Sequence, residues 1–427
     1  MRNIILVLSY IVTLSAQDID KISDFYEYVN LDWFNTTKIS GKEVVINEAG
    51  LQWETVKSKS IALLSDTTTV ELDNLHLYTL TQLRSYYSAL INSGLDPKTS
   101  FEEMQEKFPM IFGIVWSEIH YSDESKMKLS TLYEYTHDAY QKAIETSTWL
   151  DDYHKALFLN KLMSMTLKSG APNLTEYPKL PTLVGLSLEE MTSLINTYTS
   201  TPQDPETHWP TSPCEPDCFY LPGQNRIIIN AGVLLDLDTS RISARTFATI
   251  GRTIAHEMTH AFDAIGQDYD GSGRKIGVFK KLLRRGYFQG NPMDHNSRSI
   301  INQYSNFEIG VGLNVNGKKT LLESHADIAG VEVSYQAFKM FLHAEFPDMS
   351  KVERDTELRS FFISNAQMWR EISTDDFKRK SLERIHAPQK FRATGPIYNQ
   401  DDFYTLFDID PESAYYLSAD QRVNIWK

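Results

Sequence analysis

The chain has 427 residues, with 42 Lys+Arg against 56 Asp+Glu and a formal net charge of −14. A hydrophobic fraction of 41% with 12% aromatic residues supports a packed core and excludes a disordered chain. The acidic balance excludes a nucleic-acid partner, because such binders carry basic faces, and at about 150 residues per domain the length predicts two or three domains or one large two-lobed unit.

Met1 to Gln17 reads as a secretory signal. Arg2 gives the basic start, Ile4 to Leu14 the apolar stretch, and Ser15-Ala16 the small residues for cleavage. The apolar stretch is shorter than the roughly 20 residues of a membrane span. The expectation is therefore residues 1–16 as signal peptide and a secreted, extracellular product with no stable membrane anchor. Two sequons, Asn35-Thr-Thr37 and Asn173-Leu-Thr175, suit glycosylation in that compartment. The two cysteines, Cys214 and Cys218, are either free thiols or, with the edge in an oxidising compartment, a small loop-closing disulfide.

From Asp24 to Lys168 the pattern is mostly helical. Leu132, Tyr135 and Ala139 recur at helical spacing, and Leu157, Leu162 and Met165 continue the trend. Gly170-Ala-Pro172 breaks it, and a loop-rich stretch with nine prolines follows between Pro172 and Pro222. A lobe boundary is placed near its start, dividing a helical unit, residues 17–175, from a second unit, 176–427. Arg226 to Asn230 is a β-branched apolar run and reads as a strand. Ser243 to Phe262, Thr320 to Leu342 and Leu358 to Trp369 read as helices. Asp268 to Gly273 is turn chemistry whose glycines follow no strand, which argues against a phosphate loop.

The chemistry concentrates in Thr253-Ile-Ala-His256-Glu257-Met-Thr-His260-Ala-Phe-Asp263. Residues four apart on a helix share a face, with a rise of about 6 Å between them. His256 and His260 can therefore converge on one zinc ion at about 2.0–2.1 Å each. Glu257 stands beside that face, where its carboxylate reaches a water on the ion and can take its proton. A catalytic zinc needs a third protein ligand and an open position. The position six residues after His260, where an elongated motif has its third His, is Gly266, which excludes the metzincin arrangement. The candidate ligand is Glu323 in Leu322-Glu323-Ser-His-Ala-Asp327. Asp327, four residues on, would accept the second N–H of a ligand His and fix its tautomer. The alternative for Glu323 is a helix-start role, since Thr320-Leu-Leu-Glu323 fits a capping box. Asp263 either orients His260 or simply ends its helix, and His325, two positions from Glu323, reads as an ordinary polar residue.

Several separated segments together resemble the neprilysin-like zinc endopeptidases, which are gluzincins. They are Asp24-Phe-Tyr-Glu-Tyr-Val-Asn-Leu-Asp-Trp33, Trp149-Leu-Asp-Asp152 through Gly170-Ala-Pro172, Asp217-Cys-Phe-Tyr220, and Asn230-Ala-Gly232. The zinc segments, Phe361-Phe362, Ala366-Gln-Met-Trp369 and His386-Ala-Pro-Gln-Lys-Phe-Arg392-Ala-Thr-Gly395 follow in the family's order. The resemblance implies an α+β, mainly helical fold, with a thermolysin-like zinc peptidase catalytic lobe and a reduced helical N-terminal lobe. It implies Glu323 as the third zinc ligand, and His386 as the imidazole that hydrogen-bonds the oxyanion at the attacked carbonyl. Arg392 would grip a carbonyl of the bound peptide. Asp217, Cys218 and Trp369, with Tyr220 as a further candidate, would lie along that peptide.

The chain also departs from the resemblance. The segment before the zinc helix is much shorter than the family's. Ile22, Asn30, Arg370 and Val423 stand where the family usually has cysteines. Asp217-Cys218 replaces Asn-Ala, and an ionised Asp cannot donate the hydrogen bond that Asn can. Arg252 and Thr253 replace apolar residues of the prime-side pocket, while Val233, Met368 and Trp369 still supply an apolar wall. The expected function is a secreted zinc metalloendopeptidase, one zinc per chain, that cuts oligopeptides on the N-terminal side of apolar residues by Glu-assisted attack of water. The alternative is a catalytically impaired, zinc-containing peptide-binding protein of the same fold.

Overall fold

The computed structural model describes residues 24–40, 44–66, 70–199, 209–235, 237, 241–277, 292–413 and 415–426. The expected signal segment, Met1 to Gln17, lies outside them. Among the described residues no helix is long and apolar enough to cross a membrane.

The chain opens with α1 (Phe25–Val29) and α2 (Leu31–Thr36), then β1 (Val45–Asn47). Helices α3 (Glu48–Ser65), α4 (Asn74–Asn92), α5 (Pro97–Lys107) and α6 (Pro109–His120) follow, and after them α7 (Asp123–Thr146) and α8 (Asp152–Met163). Their starts are fixed locally. Asp73, Asp96, Ser122 and Asp151 each accept backbone N–H groups of the first turn, satisfying donors that have no partner within the helix. Phe101, Phe112 and Trp116 close the core between α4, α5 and α6, each fully buried.

The periodicity that suggested helix up to Lys168 ends sooner. Residues Thr166–Gly170 form β2, which pairs in parallel with β4 (Arg226–Asn230), Thr166 opposite Arg226 and Gly170 opposite Asn230. A partner strand more than fifty residues away decides this, which local spacing cannot register. The expected strand at Arg226–Asn230 is the central one of a three-stranded sheet, flanked on its other side by the antiparallel β3 (Cys218–Leu221). Strand β3 is the sheet's edge. Between β2 and β3 lies α9 (Leu188–Thr199).

Beyond the sheet, the predicted Ser243–Phe262 helix exists in three pieces. α10 (Ala244–Thr246) opens with a capping box of Ser243 and Thr246, a π-helical turn spans Phe247–Gly251, and α11 (Arg252–Thr259) completes it. α12 (Pro292–Ser305) precedes the long α13 (Leu321–Glu345), which is apolar nearly all round and buried accordingly. α14 (Lys351–Met368) leads through Trp369 into β5 (Glu371–Ser373), paired antiparallel with β1. α15 (Asp375–Ser381), α16 (Gln389–Ile397) and α17 (Asp401–Phe407) finish the described helices.

The packing of α11 on α13 places the site. The helices meet at Gly330, where a Cβ would stand 3.2 Å from the Arg252 carbonyl oxygen and 3.3 Å from the His256 nitrogen. Only a residue without a side chain lets the backbones approach so closely. The first segment of the chain buttresses the other wall: the Tyr26 hydroxyl donates to the Trp369 carbonyl at 3.0 Å, and the Asn30 amide to that of Ala366 at 3.2 Å. Asn30, at a position where the resemblance has a cysteine, thus ties the opening segment to α14 by hydrogen bonds.

Candidate metal centre and active-site cleft

His256 and His260 sit one turn apart at the end of α11, with His260 at its C-cap. Glu323 projects from the first turn of α13. His256 Nε2 and His260 Nε2 lie 3.2 Å apart, and Glu323 Oε2 lies 3.3 Å from the first and 3.7 Å from the second. Zinc bonds of about 2.0–2.1 Å in a tetrahedron put their donors about 3.3–3.4 Å apart. The triangle therefore has the dimensions of one face of a zinc site, and these three residues form a group among the described residues whose donor atoms could hold a metal ion. The capping alternative for Glu323 is not realised: Thr320 makes no side-chain cap hydrogen bond, and its buried hydroxyl has no partner.

A carboxylate backs each imidazole, by a hydrogen bond for His260 and by ion-pair proximity for His256, whose buried Nδ1 has no hydrogen-bond partner among the described residues. Asp263 Oδ2 lies 2.8 Å from His260 Nδ1, and Asp327 Oδ1 lies 2.9 Å from His256 Nδ1. The Asp263 carboxylate fixes the proton on His260 Nδ1 and leaves its Nε2 lone pair for a metal. Asp263 has a second task, accepting the N–H groups of Ile265 and Gly266 at 2.7 and 2.8 Å through its other oxygen. The turn closes so tightly that a Cβ at Gly266 would collide with the His260 carbonyl. Glycine at this position, which excluded a third histidine in sequence, is the residue the turn requires.

Charge governs the protonation of these groups. Burial opposes the ionised forms of Glu323 and Asp327. Glu323 is nonetheless held well below the usual carboxylate range by hydrogen bonds with His256 and His386. Asp327 is held low by the Arg392 and Arg252 guanidiniums. For His260, burial is outweighed by its bond to Asp263 and by the Glu257 and Glu323 charges, which push it up to about 9. His325 is fully buried beside these groups, and desolvation pushes it down to about 4. It is a neutral core residue that is not one of the donor triangle.

Glu257 is buried at 8% exposure, lining the cleft between the donor triangle and β3. The cleft has a volume of about 670 Å³. Asp217 and Cys218 form one lip, and Asp217 accepts the Cys218 N–H at 3.0 Å. Tyr220, although it borders the cleft, spends its hydroxyl on Asn225 at 2.8 Å, and Asp217, immediately before β3, is a polar side chain at that lip. His386 lies opposite, with Nε2 at 2.9 Å from Glu323 Oε2. Arg392 gives two of its donors to Asp327, Nε and Nη2 both at 2.8 Å, and lies 4.1 Å from the centre of the Trp369 ring.

Two features were hidden in the sequence. Cys214 and Cys218 are both free, against the expected small disulfide. Cys214 is buried with Sγ 3.3 Å from the Ser212 hydroxyl, while Cys218 starts β3 and lines the cleft. The other is Arg252, expected merely to replace an apolar pocket residue. It is 1% exposed, donates to Asp327 Oδ1 from Nη2 at 2.5 Å, and lies 4.6 Å from the centre of the Trp369 ring. Its position one turn before His256 was the available signal.

Residues 217–423, which contain every one of these cleft residues except those contributed by the N-terminal helices, match Peptidase family M13. The match spans 207 of the 427 residues, just under half of the chain. The chain is 26% identical over 343 residues to Neprilysin-11 of Caenorhabditis elegans, covering 74% of this chain and 39% of that protein. It is 25% identical over 342 residues to a neutral endopeptidase of Lactococcus lactis, covering 77% and 51%. It thus spans about half or less of the length of these relatives. Zinc metalloprotease Zmp1 of Mycobacterium tuberculosis, solved with an inhibitor, shares the fold with a TM-score of 0.64 at 22% identity over 78% of this chain and 52% of that one. The neprilysin-like resemblance carried by separated motifs and the mainly helical α+β fold both hold for this chain.

Proposed function

We propose that the chain is a secreted zinc metalloendopeptidase, with one zinc held by His256, His260 and Glu323, that hydrolyses peptide bonds of oligopeptides. The observation that carries this reading is the donor triangle with its 3.2–3.7 Å edges, standing beside the buried Glu257 in an open cleft. Zinc, when bound, supplies a Lewis acid that polarises a carbonyl and acidifies a water. Glu257 takes the proton of the attacking water and passes it to the leaving amine. His386 donates to the developing oxyanion, a role worth about 2.7–4 kcal/mol for one preorganised donor. Asp263 keeps the His260 imidazole in the binding tautomer, and Asp327 stands behind that of His256. The edge strand β3 offers backbone groups to which an extended peptide can add, with Asp217 and Cys218 at its start. Arg392, already fixed by Asp327, orients the peptide with its remaining donors.

Val233, Met368 and Trp369 form an apolar wall of the cleft, which supports cutting on the N-terminal side of a residue with apolar substance in its side chain. The helical segment 17–175 and the catalytic segment 176–427 act as two lobes, the first bracing the Trp369 wall through Tyr26.

The test is metal analysis together with cleavage of an oligopeptide library by the wild type and Glu257→Gln. One zinc per chain, with cleavage abolished in the variant, is the expected result. Zinc-loaded wild-type protein that cleaves no member of the library would refute the proposal.

A further inference from the structure

Arg252 is unusual in how little of its bonding capacity is used. A guanidinium has five donors in a rigid fork. Here a single hydrogen bond, from Nη2 to Asp327 Oδ1, holds it, and its Nε is buried without a partner. The carboxylate it binds is already shared. Arg392 takes both oxygens of Asp327 in bidentate fashion, and His256 Nδ1 approaches the same Oδ1 that Arg252 uses. Two buried guanidiniums thus share the Asp327 carboxylate; Glu323 also acts on Arg392, whereas among the described residues Arg252 has no carboxylate beyond the shared one. Buried charges are ordinarily paired, and this one borders the cleft.

Its place there is specific. Arg252 precedes His256 by four residues on α11, hence about 6 Å along the same helix face. Its guanidinium lies against the Trp369 ring, the same ring that walls the pocket with Val233 and Met368. The neighbouring Thr253 contributes no competing polar group, since its hydroxyl donates to the Thr249 carbonyl within the helix at 3.0 Å.

We infer that Arg252 gives this pocket a cationic end, so that the residue following the cut is preferentially one with an apolar stem and a carboxylate tip, glutamate above all. The methylenes of glutamate lie along the Trp369, Met368 and Val233 wall, and its carboxylate reaches guanidinium donors that Asp327 leaves unused, at the point where Arg252 borders the cleft. Charge-assisted bonds to a planar fork are stronger and more directional than neutral ones, so glutamate is distinguished from its isostere glutamine. The inference rests on the proposed peptidase reading and adds the chemistry of the residue that the site selects.

The experiment compares peptides identical except for Glu, Gln or Leu after the cut, with zinc-loaded wild type, Arg252→Met and Arg252→Lys. The readout is the ratio of kcat/KM values within each protein, which cancels differences in folded or zinc-loaded fraction. In the wild type the Glu peptide is expected to exceed the Gln peptide on the order of tenfold. In Arg252→Met the Glu peptide is expected to fall below the Leu peptide, and Arg252→Lys to lie between. Titration of the Glu and Gln peptides into Glu257→Gln protein reads the same preference as binding. That measurement separates the two readings: no cleavage of any peptide overturns the peptidase proposal, while the binding ratio still decides the role of Arg252. A Glu to Gln ratio near one in the wild type, or a ratio unchanged in Arg252→Met, would show that Arg252 only clamps Asp327.

Discussion

Asp327→Ala is the sharpest probe of how the site is held. The carboxylate is 1% exposed and receives Arg252 at 2.5 Å and Arg392 twice at 2.8 Å, with His256 Nδ1 2.9 Å away. Its removal strands two guanidiniums whose side chains are 2% and 13% exposed. Breaking a buried ion pair from one side costs about 3–5 kcal/mol. His256 also loses the carboxylate 2.9 Å from its Nδ1, and removing such a partner behind a ligand lowers metal affinity by about 10–100-fold. The expected result is a urea unfolding free energy reduced by at least about 3 kcal/mol, and a zinc dissociation constant raised by one to two orders of magnitude in a chelator competition. Adding Arg252→Met to Asp327→Ala removes one stranded cation and should recover part of the loss, a coupling of about 1–3 kcal/mol. A loss below about 1 kcal/mol, the size of an ordinary substitution, with zinc affinity unchanged, would refute the view that this carboxylate organises the site.

Glu257→Gln should keep its zinc while kcat falls by about 10²–10⁴; parallel loss of metal and turnover would instead make Glu257 a structural residue. Gly330→Ala pushes a methyl to 3.2 Å from the Arg252 carbonyl, and the helices must part by a few tenths of an ångström. Zinc affinity should fall together with thermal stability, and an unperturbed zinc titration would contradict the close-approach argument. Crowding at the cleft lip, helped by the Glu257 charge, pushes the Asp217 carboxyl above its ordinary value. Below that raised pKa Asp217 holds a proton it can donate to a peptide carbonyl; above it the donor is gone, so KM should climb as pH rises through the transition. Asp217→Asn donates at every pH, so its KM should be lower by a few-fold at neutral pH and flat across this range. Wild-type and variant KM profiles that run parallel would remove Asp217 from peptide binding.

Much of the site was legible in the sequence because it depends on short-range geometry. A helix places His256 and His260 on one face whatever surrounds it, and it places Glu257 beside them. The same rule puts Glu323 and Asp327 on one face of the second helix, and turn chemistry after His260 made Asp263 a candidate to orient its imidazole. The strand at Arg226–Asn230 followed from its β-branched run. None of this depends on the rest of the chain.

What tertiary structure decided is which of two local readings wins and what each group meets across the fold. Thr320 to Glu323 satisfies the pattern of a capping box, yet the close contact of α11 and α13 at Gly330 carries Glu323 to the histidines. Residues 166–170 continue a helical spacing, yet the distant strand β4 claims them as β2. Cys214 and Cys218 are four apart in sequence, but one is drawn into the core beside Ser212 and the other starts an edge strand on the cleft. Arg252 lies on the motif's own helix, yet its partners, Asp327 and Trp369, come from elements 75 or more residues further along the chain. Local spacing fixes which side chains share a face, because backbone geometry repeats every few residues. The packing of faces against each other depends on volume, burial and charge summed over distant segments, and those are settled only when the chain has folded.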